Sequence, residues 1–156
     1  MSTIHFEYQT RSKEQLDQAD QQLITKAVEA MDGAHAPYSH FSVGSAVQMV
    51  DHSIVTGNNQ ENAAYPSGLC AERVALFAAK SQSKQAISTI AIVARNQKNK
   101  PADAFSCGNC RQVMMEYANL QEAPIRIIMG DHNGQFVIVE DVRLLLPFSF
   151  HSKSLD

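Results

Sequence analysis

At 156 residues, with 44% hydrophobic and 19% charged positions, the chain has the size and composition of one soluble globular domain that buries a core of its own. The formal net charge of −3 and the lack of any Lys/Arg cluster argue against an RNA or DNA partner, whose binding draws on a basic groove that neutralises phosphates. No apolar stretch is long enough to span a bilayer, and the polar, mixed-charge segment Met1 to Gln22 reads as neither signal nor transit peptide, so no membrane partner and a cytoplasmic location are expected.

Residues 1–16 are read as an N-terminal arm, irregular over its first dozen positions. Leu23, Ala27, Val28 and Met31 then recur at helical spacing, which predicts a helix from the N-cap Asp17 to about Met31. Gly33 ends that helix and Pro37 prevents its continuation. Phe41 to Val50 carries apolar Val43, Ala46 and Val47 and predicts a strand. Asp51-His52-Ser53 turns it into a second strand, Ile54 to Asn58. Helical spacing returns from Cys70 to Lys80 through Val74, Phe77 and Ala78. Ile87 to Ala94 predicts a buried strand, and Gly108 to Tyr117 a third helix. Two strands, Ile125 to Met129 and Phe136 to Val139, flank a turn at Asp131-His132-Asn133-Gly134. Asp141 caps a last short helix through Leu146, stopped by Pro147. The order predicts an α/β fold: a single domain over residues 1–156, with a mixed five-stranded sheet sandwiched by helices.

The chain's three cysteines all fall in two short motifs, Cys70-Ala71-Glu72-Arg73 and Cys107-Gly108-Asn109-Cys110-Arg111-Gln112. An odd thiol count with Cys-x-x-Cys spacing favours metal or redox chemistry over a disulfide framework in a reducing compartment. Three thiolates leave one tetrahedral zinc position for water, the ligand count of a catalytic site, whereas a structural site closes the shell with four protein ligands. Glu72, two residues after the first thiol, is placed to move protons beside that water. Zinc nucleobase deaminases use this layout: a His or Cys ligand, a spacer, a non-ligating Glu and a distant Cys-x-x-Cys. The Cys-x-x-Cys alone also fits a redox pair, and single cysteines are often small buried hydrophobes, but both readings leave Cys70-Ala71-Glu72 unexplained. Both motifs open predicted helices, where unpaired N–H groups and the positive end of the helix dipole favour thiolates.

From about Gly33 to Phe150 the chain resembles the cytidine deaminases, the small homotetrameric, zinc-dependent enzymes of free nucleosides. The resemblance rests on Ala36-Pro37-Tyr38-Ser39-His40-Phe41-Ser42-Val43-Gly44, on Gly57-Asn58-Asn59-Gln60-Glu61-Asn62-Ala63-Ala64-Tyr65-Pro66, on the two thiol motifs and on Leu145-Leu146-Pro147. It implies that family's three-layer fold and one zinc per subunit on Cys70, Cys107 and Cys110, with Arg73 hydrogen-bonding the ligand sulfurs. It implies that Glu72 carries protons from water to ring nitrogen 3 and then to the leaving amine. Asn59 and Glu61 would bind the ribose hydroxyls, and Ala71 would also contact the substrate. Phe41 would pack on the pyrimidine, although by residue type alone it reads as core.

Tyr65 and Phe150 would reach the site of a neighbouring subunit in a homotetramer with shared active sites. The apolar run Leu144 to Phe150 independently suggests an interface, with burial in the chain's own core as the competing reading. The implied reaction is deamination of cytidine and 2′-deoxycytidine in pyrimidine salvage. The alternatives are another aminopyrimidine nucleoside or a non-catalytic zinc or thiol protein. One departure stands out: Ser106 occupies the position before the second thiol, where the family usually has proline. Serine can cap a helix, so a small effect on stability is expected there. The six histidines show no ligand spacing.

Overall fold

The segments richest in branched apolar residues pair into one mixed sheet, which a computed structural model describes within residues 1–152 and 155. Among the described residues its seven strands are β1 (Gln9–Ser12), β2 (Ser42–Met49), β3 (Ile54–Asn58), β4 (Ile87–Arg95), β5 (Pro101–Ala102), β6 (Arg126–Gly130) and β7 (Gln135–Val139). They lie in the order β1-β7-β6-β4-β2-β3, with β5 added at the end of β4. β4 and β6 run parallel, and the other pairs are antiparallel. The helices are α1 (Gln18–Ala30), α2 (Ala71–Gln82) and α3 (Gly108–Leu120).

Side-chain alternation sorts the core into two halves. Along β4, Ile90, Ile92 and Ala94 join Leu76 of α2 and Met114 of α3, while Ala91 and Val93 join Leu23, Ile24 and Ala27 of α1. β6 divides likewise, Ile127 and Met129 against Ile128. Successive strand residues point to opposite faces, so a strand covered on both sides must be apolar throughout. The result is three layers, with α1 on one face and α2 and α3 on the other.

Two glycines set how closely the layers approach. A Cβ on Gly44 would stand 1.9 Å from the Ala27 carbonyl oxygen, and one on Gly57 would stand 2.4 Å from the Ala75 nitrogen. α2 therefore lies directly on the backbone of β3. This fixes Cys70, at the start of α2, relative to Asn59 and Glu61, which follow β3. On the opposite face Asp17 caps α1 by accepting from the Asp20 N–H at 2.8 Å, as its position predicts. The Asp20 carboxylate in turn takes two hydrogen bonds from the Arg126 guanidinium, at 2.6 and 2.8 Å, tying α1 to β6.

The strand count corrects the expected five. The additional strands carry no alternating apolar signal. β5 is two residues long, and β1 is the wholly polar Gln9-Thr10-Arg11-Ser12, paired along the outer edge of β7. The arm read as irregular thus closes the sheet. The short helix expected after Asp141 is a 3₁₀ turn, Val142–Leu145, and Asp141 accepts from the Arg143 N–H at 3.0 Å.

Candidate active site

The starts of α2 and α3 meet at their thiols. Cys70 and Cys107 are the N-caps of the two helices, and Cys110 lies in the first turn of α3. Cys70 Sγ is 3.9 Å from Cys107 Sγ, which is 3.5 Å from Cys110 Sγ, and all three sulfurs lie within 4.8 Å of one another. A tetrahedral zinc with Zn–S distances near 2.3 Å separates its thiolates by ~3.8 Å, so the donor set fits that ion in spacing and softness. Cys110 is fully buried, while Cys70 and Cys107 line the adjoining cavity, leaving that side of the cluster open.

Charge points the same way. Hydrogen bonding from Cys110 lowers the Cys70 thiol to about 5, assisted by the Arg73 guanidinium and by Cys107 against the opposing effect of burial. The bond to Cys70, burial and the negative charges of Glu72 and Cys70 push the Cys110 thiol in the opposite direction. One thiolate here suppresses ionisation of its neighbour, so three ionised thiols require a cation among them. An Arg73 Nη lies 3.8 Å from Cys70 Sγ and 3.5 Å from the Gly68 carbonyl oxygen, bracing the cluster from the protein side.

Glu72 sits in the first turn of α2, lines the cavity and is only 4% exposed. Burial raises its proton affinity, and the charge on Cys70 adds to the effect, while its own N–H and the nearby Ser106 and Cys110 side chains oppose it. A buried carboxyl with raised proton affinity, two residues from a thiol of a cluster that could hold a metal, can take a proton and give it back.

The cavity measures ≈ 770 Å³, within the usual range for small-molecule sites. Glu61 lines the same cavity as Cys70 and Cys107. Its carboxylate accepts from the N–H groups of Tyr38 at 3.0 Å and Ser39 at 3.2 Å, and from the Ser39 hydroxyl. These bonds, led by the Ser39 hydroxyl, lower its pKa and hold it ionised. Asn59 is buried, its amide accepting from the Val43 N–H at 2.8 Å and donating to the Phe41 carbonyl at 2.9 Å. One amide hydrogen remains for a ligand. Phe41 is half-buried, packing on the core while lining the cavity, so the core reading and the site reading of this residue both apply. Tyr65, 78% exposed, also lines the cavity and meets the Tyr38 ring edge-on at 6.1 Å.

Two expected substrate contacts lie elsewhere. Ala71 is fully buried and adds no surface to the cavity; what it can offer is the N–H at the first position of α2. Phe150 is 60% exposed and outside this cavity, its carbonyl accepting from Gln112 Nε2 at 2.8 Å. Ser106 does not cap α3, since Cys107 is the N-cap and no side chain accepts from the first turn. Sequence reasoning gave no role to Ser39, which orients Glu61, or to Asp103 and Phe105, which line the cavity. The available signal was position: Ser39 falls inside a motif, and a large apolar Phe105 stands two residues before a thiol.

The family profile described as the cytidine and deoxycytidylate deaminase zinc-binding region matches residues 17–123. The chain is 40% identical to the cytidine deaminase of Halalkalibacterium halodurans over 136 residues, 87% of this chain and 97% of that protein. It is 38% identical to the cytidine deaminase of Sporosarcina psychrophila over 135 residues, 86% and 93% of the two chains. Its fold is similar to the crystal structure of cytidine deaminase from Burkholderia pseudomallei, with a TM-score of 0.72 and 34% identity over 83% of this chain and 98% of that one.

Proposed function

The chain belongs to the cytidine and deoxycytidylate deaminase family, and from that premise we propose that it hydrolyses free cytidine and 2′-deoxycytidine to the uridines, releasing ammonia. The observation that carries the reading is one cavity holding a buried glutamate, Glu72, beside a three-thiol cluster spaced for zinc.

Cys70, Cys107 and Cys110 would hold one zinc ion per subunit, with Arg73 offsetting their negative charge. Zinc there supplies Lewis acidity, which acidifies water towards a pKa of ~7 and makes a nucleophile available at neutral pH. Glu72 takes the proton from the attacking water and delivers it to N3 of the pyrimidine. Protonation at N3 makes C4 electrophilic to the attacking oxygen. The carboxylate then takes the remaining proton of the hydroxyl added at C4 and passes it to the amine, so that the C4–N bond breaks, ammonia leaves and C4 becomes a carbonyl. The raised proton affinity of Glu72 suits both halves of that relay.

Glu61, held ionised by Ser39 and Tyr38, accepts from a ribose hydroxyl, and the free amide hydrogen of Asn59 adds a second sugar contact. The Glu61 charge also disfavours a phosphate on that side of the sugar, which makes nucleosides better substrates than nucleotides. Phe41 packs on the base, and the Ala71 N–H is a further donor at the pyrimidine end. Tyr65 and Phe150, both exposed, complete the site of a neighbouring subunit within a homotetramer. Among the described residues no helix is long and apolar enough to cross a membrane. A reducing cytoplasm, where the thiols stay available for metal, and a place in pyrimidine salvage suit this chemistry.

A substrate comparison on zinc-loaded protein tests the reading. Cytidine and 2′-deoxycytidine should be deaminated far faster than free cytosine or the 5′-monophosphates. Turnover of cytosine equal to that of cytidine would remove the ribose assignment, and no turnover of either nucleoside would remove the function.

A further inference from the structure

Asp103 adds a further carboxylate to the wall of the candidate site. It lines the cavity together with Glu61 and Glu72, is exposed, and takes part in none of the ion pairs among the described residues. Its neighbours fix its place. Ala102 pairs with Ala94 of β4, and Ala104 is 6% exposed, packed in the core. Arg111 Nε then donates to the Ser106 carbonyl oxygen at 2.9 Å. The backbone that carries Asp103 is thus pinned on both sides.

Strand order sets Asp103 apart from Glu61. β5 and β2 flank β4, and β3 lies beyond β2. Asp103 follows β5 and Glu61 follows β3, so the two carboxylates come from strands three spacings apart, about 14 Å. They enter from opposite flanks of the β4–β2 pair. Arg73 is the one cation among the described residues lining the cavity, and its guanidinium is turned to Cys70 Sγ and the Gly68 carbonyl oxygen. It forms an ion pair with neither carboxylate.

We propose that Asp103 is a specificity residue that excludes nucleotides, working from the flank that Glu61 does not cover. The matching family profile names both cytidine and deoxycytidylate deaminases, so nucleoside and nucleotide are the two substrate classes to be told apart. A phosphomonoester carries a charge of about −1.5 to −2 at pH 7, and an unpaired carboxylate facing it opposes binding by like-charge repulsion. A nucleoside meets no such penalty. Asp103 acts on the phosphate of the wrong substrate and takes no part in the proton relay. The inference rests on the nucleoside-deaminase reading and deepens it.

The test uses zinc-loaded parent, Asp103→Asn and Asp103→Lys. It measures kcat/KM for cytidine and for the 5′-monophosphates of cytidine and 2′-deoxycytidine, with each nucleotide's inhibition constant against cytidine. Each measurement is made at about 0.01 M and about 1 M salt, where exposed charges are screened beyond ~30 Å and ~3 Å. At low salt, Asp103→Asn should tighten nucleotide inhibition roughly three- to tenfold relative to the cytidine KM, and Asp103→Lys should go further in the same direction. The gain should vanish at high salt, which a steric or structural role would not produce. Unchanged relative inhibition in both variants, or a gain independent of salt, would overturn the proposal. A parent that turns over nucleotides as fast as cytidine would instead remove the nucleoside reading beneath it.

Discussion

Cys70 and Cys107 stand 37 residues apart in the chain, yet their sulfurs lie 3.9 Å apart because each caps a helix and the two helices start at the same place. α2 is held against β3 at Gly57, and α3 packs beside it on the same face of the sheet. The cluster is a product of tertiary packing as well as of sequence motif.

Cys110 is the fully buried member of the trio, so its removal should damage metal binding more than it damages the surface of the cavity. Cys110→Ser is expected to lose most of its bound zinc and, with it, deamination, as measured by atomic emission and by ammonia release. A chelator should do the same to the parent, and added zinc should restore the parent alone. Full zinc occupancy in the serine variant would remove Cys110 from the ligand set.

Glu61 is anchored by Tyr38 and Ser39 and needs its charge to hold them and, in the proposed reaction, the sugar. Glu61→Gln should reduce kcat/KM for cytidine by roughly ten- to a hundredfold, the equivalent of about 1.5–3 kcal/mol for a charged hydrogen bond, while zinc content stays unchanged. If cytidine and free cytosine lost activity equally, the ribose role would be wrong.

Residues 149 and 150 lie against α3: the Ser149 hydroxyl contacts Met115 Sδ at 3.3 Å and Gln112 holds the Phe150 carbonyl, yet the Phe148 and Phe150 side chains stay exposed. Burying a phenylalanine stabilises by about 1.5–3 kcal/mol, so an interface that covers these rings gains that contribution in every copy. Phe150→Ala should raise KM, and truncation from Phe148 should shift the particle to a smaller mass in light scattering. A truncated protein of unchanged mass and kinetics would show that the tail serves only its own protomer.

The sequence announces what depends on periodicity or on rare residue types. β4 reads as a strand because both of its faces are covered, and the three cysteines stand out because the chain has no others. β1 was hidden because an edge strand with polar side chains has no apolar face to alternate. Ser39 and Phe105 were hidden for a different reason. Their contributions come from tertiary neighbours, Glu61 for Ser39 and the cavity wall for Phe105, and linear spacing carries no record of those. Ser106 was visible as a departure, but its spare hydroxyl emerged only once Cys107 proved to be the cap.

Glu72 is the group that moves protons in the proposed reaction. Glu72→Gln keeps the size and the first-turn position of the side chain while removing its basicity. The most direct measurement is steady-state deamination of cytidine by this variant, with zinc content and thermal midpoint determined on the same preparation. The expected result is full zinc, a folded protein and a kcat lowered by at least about a hundredfold. A zinc-loaded Glu72→Gln protein with activity within about tenfold of the parent would contradict the account, because a general acid–base group contributes more than that.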